Sequence, residues 1–265
     1  MSPAALVTGA SSGIGAATAS LLSSRGWRVF GTSRRPPEAP QPGVEWIEMD
    51  VRKEESVRAG FALASQRAGH LDALVCNAGF GIFGSIEEVP LAAAREQFET
   101  NVFGVLACVR AVLADFRNRG EGRVVLVGSL AGRAPIPFQA HYSATKAAVD
   151  ALAQALRMEL SPFGVAVSLV EPGDIRTAFN DATDFGLAHP SVYGARIVRC
   201  EEVIRRSLEQ APGPGLVART ILRALSARRP RIRYPVGPDS RLVPLGRRLL
   251  PDWLAERLVR LHFRV

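Results

Sequence analysis

The chain has 265 residues, 47% hydrophobic and 22% charged, which is long and apolar enough for a full core and excludes disorder for its bulk. Its net charge is +8, yet residues 226–265 hold ten arginines against Asp239, Asp252 and Glu256; the remainder is close to neutral, which argues against nucleic acid as a partner. Cys76, Cys108 and Cys200 show no CxxC or Cys/His ligand spacing, so neither a disulfide framework nor a structural zinc is expected, and a reducing, cytoplasmic setting is.

The first residues lack a basic n-region and a long apolar h-region, so no secretory signal is expected. Short apolar runs at 4–8, 28–32, 44–48, 73–76, 123–127 and 165–170 read as strands. Between them, 14–22, 56–68, 92–116 and 144–160 carry apolar residues at three- and four-residue spacing, as amphipathic helices do. No apolar run reaches the length needed to cross a bilayer. Apolar strands alternating with helices predict an α/β fold, a doubly wound parallel sheet of Rossmann type covered on both faces, in a single domain over 1–240. The rhythm breaks after Val170. The Gly- and Pro-punctuated stretch at about 177–215 is expected to be a substrate lid, with a helix near 216–225 and a strand near 231–236 after it. Residues 241–265 form a basic amphipathic tail of short helices broken by Pro244, Gly246 and Pro251.

The first strand runs directly into Thr8-Gly9-Ala10-Ser11-Ser12-Gly13-Ile14-Gly15. Gly9 permits a sharp strand-to-helix turn, Gly13 lets the backbone approach a pyrophosphate, and Gly15 lets the helix pack closely on the sheet. The helix N-terminus then offers N–H groups and a positive dipole end to phosphates. Farther along, Tyr142 and Lys146 lie four residues apart on one helix face. A phenol is too weakly acidic to serve as a base at neutral pH, and a nearby ammonium is expected to lower its pKa, which suits Tyr142 to general acid/base work. Ser129 follows the apolar run 124–127, where the end of a parallel strand meets the ligand crevice. Asn101 interrupts a helical pattern in which asparagine is a mediocre former.

TGxxxGxG, Asn77-Ala78-Gly79, Asn101, Ser129, Tyr142-Ser143-Ala144-Thr145-Lys146 and Pro172-Gly173 followed by Thr177 occur in this order. The chain thereby resembles the classical short-chain dehydrogenases/reductases, strongly over 4–177 and in outline beyond. One departure is Cys76, where the family often has a second asparagine; on an apolar strand it reads as a small hydrophobe. The resemblance implies that Ser129 holds the substrate oxygen against Tyr142, that Asn101 helps hold a water linking Lys146 to solvent, and that Lys146 also bonds the nicotinamide ribose. It further implies cofactor contacts from Asp50 and Val51 at the adenine, from Asn77, Ala78 and Gly79, and from Pro172, Gly173, Ile175 and Thr177 near the nicotinamide. A homodimer or homotetramer built through the 92–116 and 144–160 helices is also implied.

The second strand ends Ser33-Arg34-Arg35 without an acid to bind ribose hydroxyls, and two guanidiniums suit a 2′-phosphate, so NADP(H) is expected over NAD. The expected function is therefore an NADP(H)-dependent interconversion of carbonyl and alcohol. The stretches Cys76–Gly81 and 162–165 resemble 17β-hydroxysteroid and retinol-type members, which implies an apolar steroid, retinoid or acyl-type substrate. A non-redox enzyme of the same fold, such as an epimerase or dehydratase, and a cofactor-binding regulator are the alternatives. The tail's apolar face is expected to close the pocket or a subunit interface, with peripheral membrane contact as the rival reading.

Overall fold

A computed structural model describes residues 2–177, 191–237 and 239–265. Seven strands form one parallel sheet in the order β3-β2-β1-β4-β5-β6-β7. They are β1 Ala4–Thr8, β2 Arg28–Ser33, β3 Val44–Glu48, β4 Ala73–Cys76, β5 Gly122–Val127, β6 Val165–Pro172 and β7 Arg233–Val236. β1 and β4 are buried at every residue, as strands covered on both faces must be. Alternate side chains feed opposite cores. Leu6, Phe30, Leu74, Leu126 and Leu169 pack on one face with α2 (Glu54–Ala68), α4 (Gly104–Arg119) and α5 (Ala140–Leu160). Val7, Val29, Val75, Val125 and Val170 pack on the other with α1 (Gly13–Ser24) and α7 (Gly215–Ser226). β1 lies between β2 and β4, so the strand order reverses there and opens a crevice at the carboxyl ends of the strands.

The helix expected over 92–116 is longer and irregular. α3 (Leu91–Phe98) passes through a π-helical turn, Glu99–Phe103, into α4. The resulting helix, Leu91–Arg119, is long and apolar enough by length and composition to cross a membrane, which corrects the reading of the sequence. Its Val105, Cys108, Val109, Val112 and Phe116 are packed in the core beside the sheet. The tail also departs from expectation. α8 (Asp239–Leu249) runs through Pro244 and Gly246, and the break before α9 (Asp252–Phe263) comes only at Pro251. Pro244 forgoes one backbone hydrogen bond, but it is buried on a helix that packs against β7. Of the expected lid, 178–190 lies outside the described residues; its later part forms α6 (Ala195–Gln210).

Candidate active site

A cleft of about 620 Å³ opens over the carboxyl ends of the strands. One end is the turn between β1 and α1. Gly9 and Gly13 take left-handed φ values of 65° and 54°, and a side chain on Gly15 would be driven into the Gly9 carbonyl oxygen and the Asn77 amide. The turn is tied to the β4 exit. Asn77 donates through Nδ2 to the carbonyls of Thr8 (3.0 Å) and Gly9 (3.1 Å), while Thr8 Oγ1 accepts from the backbone N–H groups of Asn77 (2.9 Å) and Ala78 (3.0 Å). Ser12 caps α1 without a side-chain hydrogen bond to the backbone, and no acid occupies the first turn. That helix end therefore fits an anionic diphosphate, and the cradle beside it fits a dinucleotide.

Gly9, Ser11, Ser12, Gly13, Ile14, Arg34, Asp50, Val51, Asn77, Ala78, Gly79, Ser129, Tyr142, Lys146, Pro172, Gly173, Ile175 and Thr177 all line this cleft. Gly15, Arg35 and Asn101 do not. Gly15 shapes the turn from behind. Arg35 is exposed, with its backbone N–H donating to Ser33 Oγ at 3.4 Å, so of the two arginines only Arg34 faces the cleft. Asn101, 1% exposed in the π-helical turn, exchanges two hydrogen bonds with the Phe80 backbone (3.0 and 2.9 Å) and donates to Thr145 Oγ1 at 3.1 Å. Its side chain fastens the 77–80 loop to α5.

Arg52, two residues beyond Asp50 and also on the cleft, escaped the sequence reading. It grips both oxygens of Asp50, with Nη2 to Oδ2 at 2.8 Å and Nε to Oδ1 at 3.0 Å. Arg52 holds the Asp50 carboxyl below the usual carboxylate range, and Arg34 adds a smaller pull in the same direction. The Asp-Val-Arg spacing at a strand exit was the available signal. A second missed feature has no local signal. Glu88 accepts from Ser191 Oγ (2.9 Å) and the Val192 N–H (3.0 Å), and Tyr193 donates its hydroxyl to Glu87 at 3.1 Å, clasping the approach to α6 from more than a hundred residues away in sequence.

Ser129 begins the 3-10 turn Leu130–Gly132, its Oγ accepting from the Ala131 N–H at 3.1 Å. Tyr142 stands opposite on the first turn of α5 and shares a hydrogen bond with Ser129. Lys146, one turn on, donates from Nζ to the Val127 carbonyl at 2.9 Å and lies 5.7 Å from the centre of the Tyr142 ring. The electrostatics correct one expectation. Lys146 was expected to lower the Tyr142 pKa, but burial pushes the phenol up to about 12; the Ser129 hydrogen bond pulls it down and the Asp174 carboxylate adds to the rise. Lys146 is aimed at Val127 rather than at the phenol oxygen, and burial lowers its own pKa to about 8. At neutral pH the site therefore holds a protonated phenol beside an ammonium.

The far wall of the cleft comes from later elements. Val203, Ile204, Ser207 and Leu208 of α6 and His262 and Phe263 of α9 line it. Phe263 joins Phe83, Ile197, Cys200, Phe138 and Tyr193 in a small apolar cluster, so part of the tail does pack on the pocket. No group of His, Cys, Asp and Glu among the described residues could hold a metal.

Comparison with known proteins agrees with this architecture. A family model described as "short chain dehydrogenase" matches residues 3–185. The chain is 33% identical to a 3-ketodihydrosphingosine reductase of Bacteroides thetaiotaomicron, covering 98% of this chain and 97% of that protein. It is 34% identical to human 17-beta-hydroxysteroid dehydrogenase type 1, over 93% of this chain and 80% of the relative. A solved short chain dehydrogenase from Burkholderia cenocepacia in complex with NADP superposes with a TM-score of 0.79 at 27% identity, covering 97% of each chain. Another structural neighbour holds NAD, so kinship does not choose between the cofactors. With the glycine turn, Ser129, Tyr142 and Lys146 gathered on one cleft and the family match extending over most of the chain, this protein belongs to the short-chain dehydrogenase/reductase family of oxidoreductases.

Proposed function

We propose that this enzyme is an NADP(H)-dependent reductase of bulky apolar ketones or aldehydes, with Tyr142 as general acid. The observation that carries the reading is the half-buried Tyr142 phenol hydrogen-bonded with Ser129 on the cleft that begins at the glycine turn. Ser129 and Tyr142 hold the carbonyl oxygen between them. When bound, NADPH supplies the hydride that reduces the carbonyl carbon. Tyr142 gives its proton to the oxygen, and the nearby Lys146 ammonium stabilises the phenolate left behind. Burial strengthens that stabilisation, since a cation acts farther where water is excluded. Asn101 keeps the 77–80 loop in register with α5 and so serves as a positioning residue.

Arg34 supports NADP over NAD, because its guanidinium faces the cleft where an acid would otherwise bind ribose hydroxyls. Asp50, Val51 and Arg52 form the neighbouring wall on the adenine side. The apolar wall of Val203, Ile204, Leu208 and Phe263 supports a bulky apolar substrate, as do relatives named for a ketodihydrosphingosine and a 17-beta-hydroxysteroid. Exposed Phe103 and Met158 support a homodimer or homotetramer assembled through the Leu91–Arg119 helix and α5, and three free, buried cysteines suit a reducing cytoplasm. The test is a panel of steroid, long-chain and small polar carbonyls with NADPH and NADH, read by loss of reduced-nicotinamide absorbance. Turnover of the apolar members with NADPH is expected; turnover of none, or of polar members only, contradicts the proposal.

A further inference from the structure

The tail has two faces. Inward, Ala255 is buried and Phe263 and Val265 pack into the cluster with Ile197 and Cys200, which fixes how α9 is turned. The Arg199 guanidinium donates to the Arg264 carbonyl at 3.1 Å and fastens the end of the helix. Outward, Leu242, Leu245 and Leu249 follow at i, i+3 and i+7 on α8, exposed by 65%, 54% and 72%. Trp253 and Leu261 on α9 are each 65% exposed, and Leu258 lies at their side. Among the described residues, half of the large exposed apolar side chains fall between Leu242 and Leu261. Monomer surfaces rarely gather so many large apolar side chains in one place without a partner.

The charges say which partner. Arg248 and Arg257 are exposed on the flanks of this apolar face, Arg247 is exposed farther round α8, and none of the three has a carboxylate partner among the described residues, while Arg260 has only Glu256 at 4.0 Å. If two copies met through this face about a two-fold axis, the same arginines would be brought together. A layer of anionic headgroups neutralises them instead, while Trp and Leu enter the boundary beneath. We propose that the outer face of α8 and α9 is a docking surface for an anionic lipid bilayer. His262 and Phe263 of the same helix line the cleft, so docking brings the catalytic cleft close to the lipid in which apolar carbonyl compounds dissolve. The docking proposal stands independently of the substrate reading.

Sedimentation of the full-length protein with phosphatidylcholine vesicles, with and without phosphatidylglycerol, tests it. The protein is expected to pellet with the anionic vesicles, less so as salt rises, and the emission of Trp253 is expected to shift to the blue, a shift missing in Trp253→Phe. Leu245→Ser/Leu249→Ser/Trp253→Ser should abolish pelleting. Arg247→Gln/Arg248→Gln/Arg257→Gln should weaken it roughly fivefold per arginine. Both triple variants should keep full turnover of a water-soluble carbonyl, which shows that the fold is intact. No pelleting of the wild type, or pelleting that neither triple variant changes, overturns the proposal. Equal pelleting with neutral vesicles overturns the choice of anionic lipid. If light scattering instead shows an oligomer that only the Leu/Trp variant dissociates, with no vesicle binding, the occupant is a second copy and the proposal fails.

Discussion

On one wall of the cleft, Gly9, Asn77 and Ala78 are tied together, with Thr8 behind them, through backbone, hydroxyl and carboxamide hydrogen bonds. On the other, Val203, Ile204, Leu208 and Phe263 present mainly apolar side chains from two helices far apart in sequence. The first wall suits a ligand that never varies, because Thr8 and Asn77 fix the backbone of the turn before anything binds. The second is held by burial, which tolerates exchange of one apolar side chain for another. On the proposed function, the cofactor wall is thus held by hydrogen bonds that join the ends of β1 and β4, while the substrate wall is held by apolar packing between α6 and α9.

If this division holds, Tyr142, between the walls, should give the largest loss. Tyr142→Phe removes the proton donor and should lower kcat/KM by about 10²–10⁴-fold while leaving the affinity for NADPH unchanged in a fluorescence titration. A parallel loss of cofactor affinity would blur the comparison. Next in size is the cofactor wall. Arg34→Ser should raise the KM for NADPH by roughly ten- to a hundredfold, as expected for a lost charge-assisted hydrogen bond, and leave NADH unaffected. Arg35→Ser, outside the cleft, should change neither by more than about threefold. Equal effects of the two variants would show that the cleft does not discriminate between these arginines.

The strands were legible because a parallel sheet buried on both faces requires largely apolar runs, and 73–76 and 124–127 are apolar throughout. The glycine turn and the Tyr142/Lys146 pair were legible because their spacing is local. The π-helical turn at Glu99–Phe103 was not: the misfit of Asn101 was visible, but its partners, Phe80 and Thr145, lie 21 and 44 residues away. Nor does spacing give the pKa of Tyr142. An i, i+4 lysine implies attraction, yet the direction Lys146 points depends on the Val127 carbonyl, and burial outweighs the attraction. The tail's continuity through Pro244 likewise depended on burial that no window of sequence displays.

A pH titration sharpens the comparison further. Lys146, lowered to about 8, loses its proton before Tyr142, raised to about 12. In the reductive direction kcat/KM for NADPH should therefore be level below about pH 8 and decline up to tenfold per unit above it, as the charge that stabilises the phenolate disappears while the phenol stays protonated. Lys146→Arg, slower overall, should lose that decline, because a guanidinium stays charged throughout. The smallest effect belongs to the apolar wall. Phe263→Ala should raise the KM for a bulky apolar carbonyl about three- to tenfold with the KM for NADPH unchanged.

The most direct test follows the label in a single turnover of deuterated NADPH with a bulky apolar ketone, for the wild type and for Tyr142→Phe at saturating cofactor. The wild type is predicted to place deuterium on the carbinol carbon, and Tyr142→Phe to bind NADPH equally well yet form product at least a hundredfold more slowly. Undiminished label transfer by Tyr142→Phe, or no label transfer by the wild type to any apolar carbonyl, would contradict the account.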